Sequence, residues 1–249
     1  MELLAMLKAN GITGSLLLAS EGFNGTIAGS REGIDAALNY LKTNVTNGDF
    51  DHKESTCEKP PFPRTKVRLK KETISIGEPC PPELVGEYIS PQDWNEFISR
   101  PDTIVIDTRN TYETHLGTFK GAIDPQIQNF KELPKYVREQ LADAKGKNIA
   151  TFCTGGIRCE KFTAWMKAEG FENVFHLKGG ILKYLEEIPQ EESTWDGECY
   201  VFDKRVAVGH GLTPTTTASM CFGCGHALLP EDRKHHKFEE PMHCGYCPK

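Results

Sequence analysis

The sequence predicts an α/β protein whose central domain is a doubly wound parallel sheet. Three observations predict this fold class: strand and helix patterns alternate from about residue 88 to residue 192, a proline-rich segment precedes them, and a cysteine-rich segment follows them. We expect domains at residues 1–75 and 88–192, a linker at 76–87 and a C-terminal segment at 193–249. A chain of 249 residues is long enough for each domain to have its own core.

The first 75 residues predict a small α+β domain. Apolar spacing and turn residues predict helices at 2–9 and 30–42 and strands at 15–19, 26–28 and 65–70. This order is that of a ferredoxin-like (acylphosphatase-like) domain that lacks its first strand. Because that strand would be central to the sheet, we expect the natural protein to begin upstream of Met1.

The central domain follows a linker that is rich in proline between residues 76 and 82. Predicted strands lie at 103–106, 149–152 and 174–177, and predicted helices lie near 91 and at 133–141, 161–170 and 180–187. Ligands of such sheets bind at the carboxyl ends of the strands. Asp107 and Cys153 follow two of the strands, so we expect the functional site there.

The loop Cys153-Thr154-Gly155-Gly156-Ile157-Arg158 joins a buried strand to a helix that is predicted to be amphipathic. Loop N–H groups, the helix N-terminus and the Arg158 guanidinium all favour a thiolate, and the two glycines let the backbone approach the sulfur. We therefore predict that Cys153 is a nucleophile with a lowered pKa.

Four other cysteines outside the C-terminal pairs are not predicted to be nucleophiles of the reaction. Cys57, Cys80 and Cys199 are predicted to be buried and inert. Cys159 is either a resolving thiol for an oxidised Cys153 or a packing residue at the helix start.

The size of the loop separates two chemistries. Four residues, Thr154 to Ile157, lie between Cys153 and Arg158, one fewer than in a phosphate-binding cysteine loop. The smaller ring suits a sulfur atom or a thiolate adduct better than a phosphoryl group. The loop resembles the active-site loop of the rhodanese superfamily, whose cysteine carries a persulfide in its sulfurtransferase members.

Two further segments, 107–123 and 177–181, resemble the first-strand and closing segments of the same superfamily. Asp107 and Arg109 in the first of them are candidates for the site. A structural ion pair that braces the loop is favoured over direct catalysis by these two residues.

Two Cys-x-x-Cys pairs near the C-terminus, Cys221/Cys224 and Cys244/Cys247, predict a metal site. Nineteen residues separate the pairs, and four thiolates suit a tetrahedral ion. We expect structural zinc, with an iron–sulfur cluster as the alternative. The neighbouring histidines are additional ligands or surface residues: His226, His235, His236 and His243.

The cysteine content and the net charge indicate the cellular compartment and the kinds of partner that the protein can bind. The odd number of nine cysteines, with metal-type spacing, fits a reducing compartment, and the sequence has neither a membrane-spanning apolar run nor a signal-peptide pattern. We therefore predict a cytoplasmic protein. The net charge of −6 provides no general attraction for nucleic acid, so an RNA contact must use local basic patches such as Lys66 and Arg68.

The whole chain resembles the bacterial oxygen-dependent tRNA uridine hydroxylases. The resemblance is carried by residues 18–26, 153–161 and 197–203 and by the two Cys-x-x-Cys pairs. It implies conversion of the wobble uridine in a tRNA anticodon loop to 5-hydroxyuridine with molecular oxygen, with Cys153 as the essential cysteine. We expect Thr154, Gly155, Gly156 and Ile157 to bind a developing anion and Arg158 to hold charge or phosphate.

No flavin, haem or iron motif is visible in the sequence, and neither a membrane nor an obligate protein partner is expected. Two other functions remain open. One is a sulfurtransferase that carries a persulfide on Cys153. The other is a non-enzymatic RNA-binding or protein-binding module, against which the intact cysteine counts.

Overall fold

The computed structural model describes residues 2–57, 60–221, 223–224, 226–234 and 244–247. The chain divides into two compact units, Met1–Ser75 and Ile76–Lys249. None of the helices within the described residues is long and apolar enough to cross a membrane.

The first unit has the predicted order of helices and strands. Its elements are α1 (Glu2–Ala9), β1 (Thr13–Ala19), β2 (Gly22–Ala28), α2 (Arg31–Leu41) and β3 (Thr65–Leu69). The central strand β1 is antiparallel to β2 and parallel to β3, and the sheet order is β2-β1-β3. The side chain of Ser30 accepts a hydrogen bond from the Gly33 N–H, so a serine cap begins α2 as predicted.

The core of the first unit lies between its sheet and its two helices. Apolar residues three to four positions apart give each helix an apolar stripe, and alternation in β1 turns Leu16 towards that stripe. The buried members are Leu3, Leu7, Ile12, Leu16, Ala37 and Leu41. The edge strand β3 ends in Leu69, which is 84% exposed.

Replacing Leu16 by Ala should lower the free energy of unfolding by about 2–5 kcal/mol, because it leaves a cavity in a close-packed core. The matched control is Leu69→Ala in the same sheet, which should change the free energy by less than about 0.5 kcal/mol. Urea unfolding followed by circular dichroism measures both. Equal effects of the two substitutions would contradict the assigned core.

The second unit contains the predicted parallel sheet. Its first elements are β4 (Glu87–Ile89), α3 (Pro91–Ile98), β5 (Thr103–Asp107), α4 (Thr111–Thr114), β6 (Gly117–Phe119), α5 (Leu133–Gln140), β7 (Asn148–Phe152), α6 (Ile157–Ala168), β8 (Val174–Leu177) and α7 (Gly180–Glu187). The sheet order is β4-β8-β7-β5, with every neighbouring pair parallel. The short strand β4 was not expected from the sequence.

Helices cover both faces of this sheet. Ala150 and Phe152 of β7 face a core that includes residues of α3 and α7, such as Trp94 and Tyr184. Thr151 lies between Ala150 and Phe152, and its side chain points to the opposite face of the sheet. There it forms a hydrogen bond with the Cys159 thiol of α6. This arrangement places the carboxyl end of β7 between the N-termini of α6 and α7.

Two expectations about α6 were wrong. The helix begins at Ile157, so Arg158 and Cys159 lie in its first turn, whereas the sequence placed the start at residue 161. The helix is also not amphipathic, because Phe162 to Met166 are all buried against the sheet and the neighbouring elements.

Within the second unit, the residues after α7 pack onto the sheet and its helices. They form the short strands β9 (Trp195–Gly197), β10 (Cys199–Tyr200), β11 (Ala207–Val208), β12 (Ser219–Met220) and β13 (Ala227–Leu228). β9 pairs antiparallel with β6, and β10 forms a hairpin with β11. Trp195 enters the central core, so this segment is anchored to the sheet domain.

Candidate active site and metal centre

Cys153 follows the last residue of β7, and its side chain lies beneath the loop that leads into α6. The Gly156 N–H donates a hydrogen bond to the Cys153 Sγ over 3.1 Å. Gly156 adopts φ 95°, a left-handed conformation that a residue with a Cβ rarely takes, so glycine is favoured at the position that donates this hydrogen bond. Cys153 is only 1% exposed, whereas Gly155 and Ile157 are exposed above it.

The N-terminus of α7 holds the other side of the loop. Ile181 and Leu182 donate their N–H groups to the carbonyl oxygens of Cys153 and Thr154 over 3.0 and 3.1 Å. Gly180 approaches so closely that a Cβ there would lie 2.5 Å from the Cys153 carbonyl oxygen. The sequence analysis identified residues 177–181 only by their resemblance to the closing segment of the rhodanese superfamily. It did not predict the steric role of Gly180.

Glu113 is the main site residue that the sequence analysis missed. Its carboxylate accepts two hydrogen bonds of 2.6 Å from the Arg158 guanidinium and one of 3.0 Å from the Thr154 hydroxyl. The N–H of Asn110, three residues earlier, donates a hydrogen bond to the Glu113 carboxylate, which is the Glu half of a capping-box pattern. That pattern was the available signal, but it predicts a helix start and not the partner of Arg158.

The Glu113–Arg158 pair gives Arg158 a partner other than the expected phosphate. Burial raises the pKa of Glu113, but the charge and hydrogen bonds of Arg158 outweigh burial and leave that pKa below its ordinary value. The pair therefore stabilises the fold at neutral pH, and this contribution is lost as the pH falls through the folded-state pKa of Glu113. Arg158 acts on Cys153 through its positive charge.

Asp107 and Arg109 form the bracing ion pair that the sequence analysis favoured. The Arg109 Nη2 lies 2.6 Å from the Asp107 Oδ2, and both side chains are completely buried. Arg109 also donates to the carbonyl oxygens of Glu113 and Gly117 and lies over the Trp195 ring. Neither side chain reaches the surface, and a direct role of Asp107 and Arg109 in the reaction remains a prediction.

Cys153 and Cys159 interact as a buried pair. Burial raises the pKa of Cys153, but a hydrogen bond from the Cys159 thiol, the charge of Arg158 and N–H groups of residues 158 and 159 lower it well below the ordinary value. Burial and the neighbouring Cys153 raise the pKa of Cys159, whose sulfur lies 3.5 Å from the Thr108 hydroxyl oxygen. The first proton is therefore lost from Cys153, and Cys159 donates to the resulting thiolate.

The remaining predictions about cysteines are partly corrected. Cys199 is buried, and burial raises the pKa of its thiol to about 12. Cys57 is exposed and Cys80 is half-buried, so the prediction that both are buried was wrong. Both lie in irregular segments, where there is no strand or helix periodicity from which burial can be predicted.

Replacing Cys159 by Ala should raise the pKa of Cys153, because the thiolate loses a hydrogen-bond donor. We expect the midpoint of Cys153 alkylation by iodoacetamide to move up by about one to two pH units, since a hydrogen bond to a charged group is worth about 1.5–3 kcal/mol. Mass spectrometry of the Cys153 peptide across a pH series measures this midpoint. Cys159→Ser keeps a donor and is the matched control, and a midpoint unchanged in Cys159→Ala would contradict the hydrogen bond.

The four C-terminal cysteines form one cluster. The Sγ atoms of Cys221, Cys224, Cys244 and Cys247 all lie within 4.8 Å of one another. Neighbouring sulfurs are 3.5–3.9 Å apart, and four thiolates about 2.3 Å from a tetrahedral zinc ion would be about 3.8 Å apart. The residues present therefore fit a single metal ion such as zinc.

Of the histidines considered as additional ligands, His226 stacks on Tyr246. His235, His236 and His243 lie outside the described residues. The cysteines by themselves provide the four ligands of a closed structural site.

Elemental analysis of the purified, reduced protein should find one metal ion per chain. Cys224→Ser should lose that ion, and the C-terminal segment should then become sensitive to proteolysis, because metal binding and folding are coupled in such segments. Cys57→Ser, which changes an exposed cysteine outside the cluster, should keep the metal. A metal content that Cys224→Ser leaves unchanged would contradict the site.

Lys66 and Arg68 lie on β3 in the first unit. They are opposite Ser15 and Leu17 of β1, on the same face of the strand, and Lys66 is half-buried while Arg68 is exposed. Their contact with tRNA remains a prediction.

The sheet, the cysteine loop and the helix that follows it define a rhodanese-domain protein. A rhodanese-like domain model matches residues 90–187, and a model described as the UPF0176 acylphosphatase-like domain matches residues 1–73. The two models together match the domain architecture of the UPF0176 rhodanese-domain family.

Solved structures resemble only part of the chain. A rhodanese-like domain protein from Staphylococcus aureus is 20% identical, with 39% of this chain and 90% of that chain covered and a TM-score of 0.34. A rhodanese-related protein from Thermoplasma volcanium is 24% identical, with 41% and 92% covered and a TM-score of 0.32. The rhodanese-like domain from Anabaena sp. is 18% identical, with 44% and 78% covered and a TM-score of 0.37.

Proposed function

We propose that this protein is a tRNA-modifying oxygenase that converts the wobble uridine to 5-hydroxyuridine, with molecular oxygen as co-substrate and Cys153 as the nucleophile. The observation that carries this proposal is the buried Cys153 sulfur, which accepts a hydrogen bond from the Gly156 N–H in a loop that favours the thiolate, in a chain that pairs the UPF0176 domain with a rhodanese domain. The resemblance of the whole chain to the tRNA uridine hydroxylases supports the choice of substrate. We expect the reaction to take place in the cytoplasm.

The chemistry starts with addition of the Cys153 thiolate to C6 of uracil, which forms a carbon–sulfur bond and an enolate with its charge at C5 and O4. Oxygen adds to C5, and protonation gives a C5 hydroperoxide. Two thiol equivalents reduce the hydroperoxide to a hydroxyl group and water and become a disulfide. Loss of the C5 proton then expels the Cys153 thiolate, so the net change is insertion of one oxygen atom at C5.

Residues of the loop have separate roles in this scheme. The Gly156 N–H stabilises the Cys153 thiolate before the addition and after its expulsion. Arg158 keeps the site positive, and Glu113 holds Arg158 in place. Because Cys153 is 1% exposed, the exposed part of the loop at Gly155 and Ile157 must move aside before a uracil ring can reach the sulfur.

A second function, a sulfurtransferase that carries a persulfide on Cys153, is favoured by one specific observation. The Cys153 side chain is buried under a loop with only four residues between it and Arg158. A single added sulfur atom needs much less space there than a pyrimidine ring. The N–H group and the positive charge that stabilise a thiolate also stabilise a persulfide.

Incubation with unmodified tRNA and a thiol under heavy-isotope oxygen distinguishes the two functions. Hydroxylation should place the heavy atom in the wobble nucleoside, and no product should form without oxygen or with Cys153→Ser, whose hydroxyl stays protonated at neutral pH. High-resolution mass spectrometry is needed to identify an unlabelled product, because insertion of ordinary oxygen and replacement of oxygen by sulfur raise the nominal mass equally. An unlabelled product that forms anaerobically from thiosulfate would overturn hydroxylation and support the sulfurtransferase.

A further inference from the structure

Six rings form a connected group on α4 and on the C-terminal segment that packs against it. We call this group the aromatic band: Phe202, Tyr200, Tyr112, His226, Tyr246 and His115. Adjacent ring centroids are 4.1 to 6.4 Å apart. Tyr112 and His115 come from α4 and its C-terminal end, and the same helix carries Glu113, the partner of Arg158. The band therefore adjoins the wall of the candidate active site.

The end of the band near the cysteine cluster is held by several contacts. His226 and Tyr246 stack with centroids 4.1 Å apart and ring planes 17° apart. Asp232 accepts a hydrogen bond of 2.8 Å from the Tyr246 hydroxyl, and its other carboxylate oxygen lies 2.8 Å from the His115 Nε2. Tyr246 lies between the ligand positions 244 and 247, yet 46% of it is exposed. This ring is thus fixed in position with part of its surface free for a ligand.

The other end of the band is Phe202, at the tip of the hairpin formed by β10 and β11. The tip is closed by hydrogen bonds from the Val201 N–H to the Val206 carbonyl and from the Val206 N–H to the Asp203 carbonyl. Val206 adopts φ 66°, a left-handed conformation that strains a β-branched residue. The strained turn leaves the Phe202 ring 60% exposed, with one edge-to-face contact to Tyr200.

A single exposed aromatic ring is ordinary on a protein surface. Here two partly exposed rings, Phe202 and Tyr246, belong to one continuous group, and both are held by local contacts. Tyr200 is buried, but the half-buried rings of Tyr112, His226 and His115 bring phenol and imidazole groups to the surface between them. The surface is therefore not one apolar patch of the kind that protein partners cover. Lys204 is exposed on the same hairpin tip as Phe202 and brings positive charge to that end of the band.

Flat rings next to a cation are the recognised means of binding unpaired nucleobases, because every base has a face that can stack and a phosphate that needs a counter-charge. We infer that the exposed and half-buried rings of the aromatic band form a stacking surface for unpaired bases of a single-stranded RNA loop, with Phe202 as its outermost contact. This inference rests on the proposed function, because it assigns a surface of the second unit to the RNA substrate.

The test uses the full-length protein and an RNA anticodon stem–loop with uridine at the wobble position and 2-aminopurine at a neighbouring loop position. Phe202→Leu keeps an apolar side chain but removes the ring, and we expect RNA binding to weaken by about tenfold, in line with the loss of one stacked base. The quenching of 2-aminopurine fluorescence on binding should decrease with it. Phe202→Trp should bind at least as tightly as the wild type, because it keeps a stacking face.

Tyr88→Leu provides a control outside the band, since Tyr88 is 50% exposed but lies on β4, at the opposite edge of the sheet from β5, and its ring contacts that of His176. We expect this variant to bind RNA like the wild type, and thermal unfolding of each variant checks that it is folded. If Phe202→Leu binds RNA as tightly as the wild type, the stacking surface is overturned while the proposed function stands. If the wild-type protein does not bind the stem–loop, the proposed function fails, and this inference fails with it.

Discussion

The buried ion pair between Glu113 and Arg158 is the contact on which the active-site loop depends. An arginine beneath a protein surface is costly unless a carboxylate compensates its charge, and Glu113 provides two hydrogen bonds of 2.6 Å for that purpose. With this compensation, Arg158 can stay beside the Cys153 sulfur and favour its ionised form. Glu113 is in turn positioned by Arg109, which donates to its carbonyl oxygen. Asp107, Arg109, Glu113 and Arg158 therefore form one chain of charges that leads from the end of β5 to the thiolate.

Two helix N-termini act on the same loop in different ways. N–H groups at the start of α6 point towards the Cys153 sulfur, while those of Ile181 and Leu182 at the start of α7 bind the carbonyl oxygens of the loop. The close approach of α7 requires the absence of a side chain at Gly180. Consequently the loop is fixed from both sides, and the sulfur is stabilised as an anion although it is almost completely buried. Any reaction at this sulfur therefore needs either a very small adduct or a movement of the exposed loop residues.

The C-terminal segment is part of the active-site architecture because it contacts the helix that carries Glu113. Trp195 packs in the central core, with Arg109 over its ring, and β9 pairs antiparallel with β6. Beyond the hairpin, the Asp232 carboxylate contacts both His115, at the end of α4, and the Tyr246 hydroxyl. Tyr246 lies in the sequence between two cysteines of the cluster. A metal ion held by the four thiolates would thus stabilise a surface that borders the site. This connection gives a physical reason for a cysteine cluster in the same chain as the rhodanese loop.

The sequence by itself determined the features that depend on local patterns. The parallel sheet follows from strand and helix alternation, the position of Cys153 from the strand, glycine and helix order, and the four cysteines from their spacing. It did not determine the partner of Arg158, because Glu113 lies 45 residues away and meets it only when β5 and β7 are adjacent. For the same reason the closeness of Gly180 to the Cys153 carbonyl and the burial of α6 on several sides were not predicted. Local patterns report which residues form a strand or a helix, but only the tertiary structure brings distant elements together, and those contacts decide which side chains control the charge on Cys153.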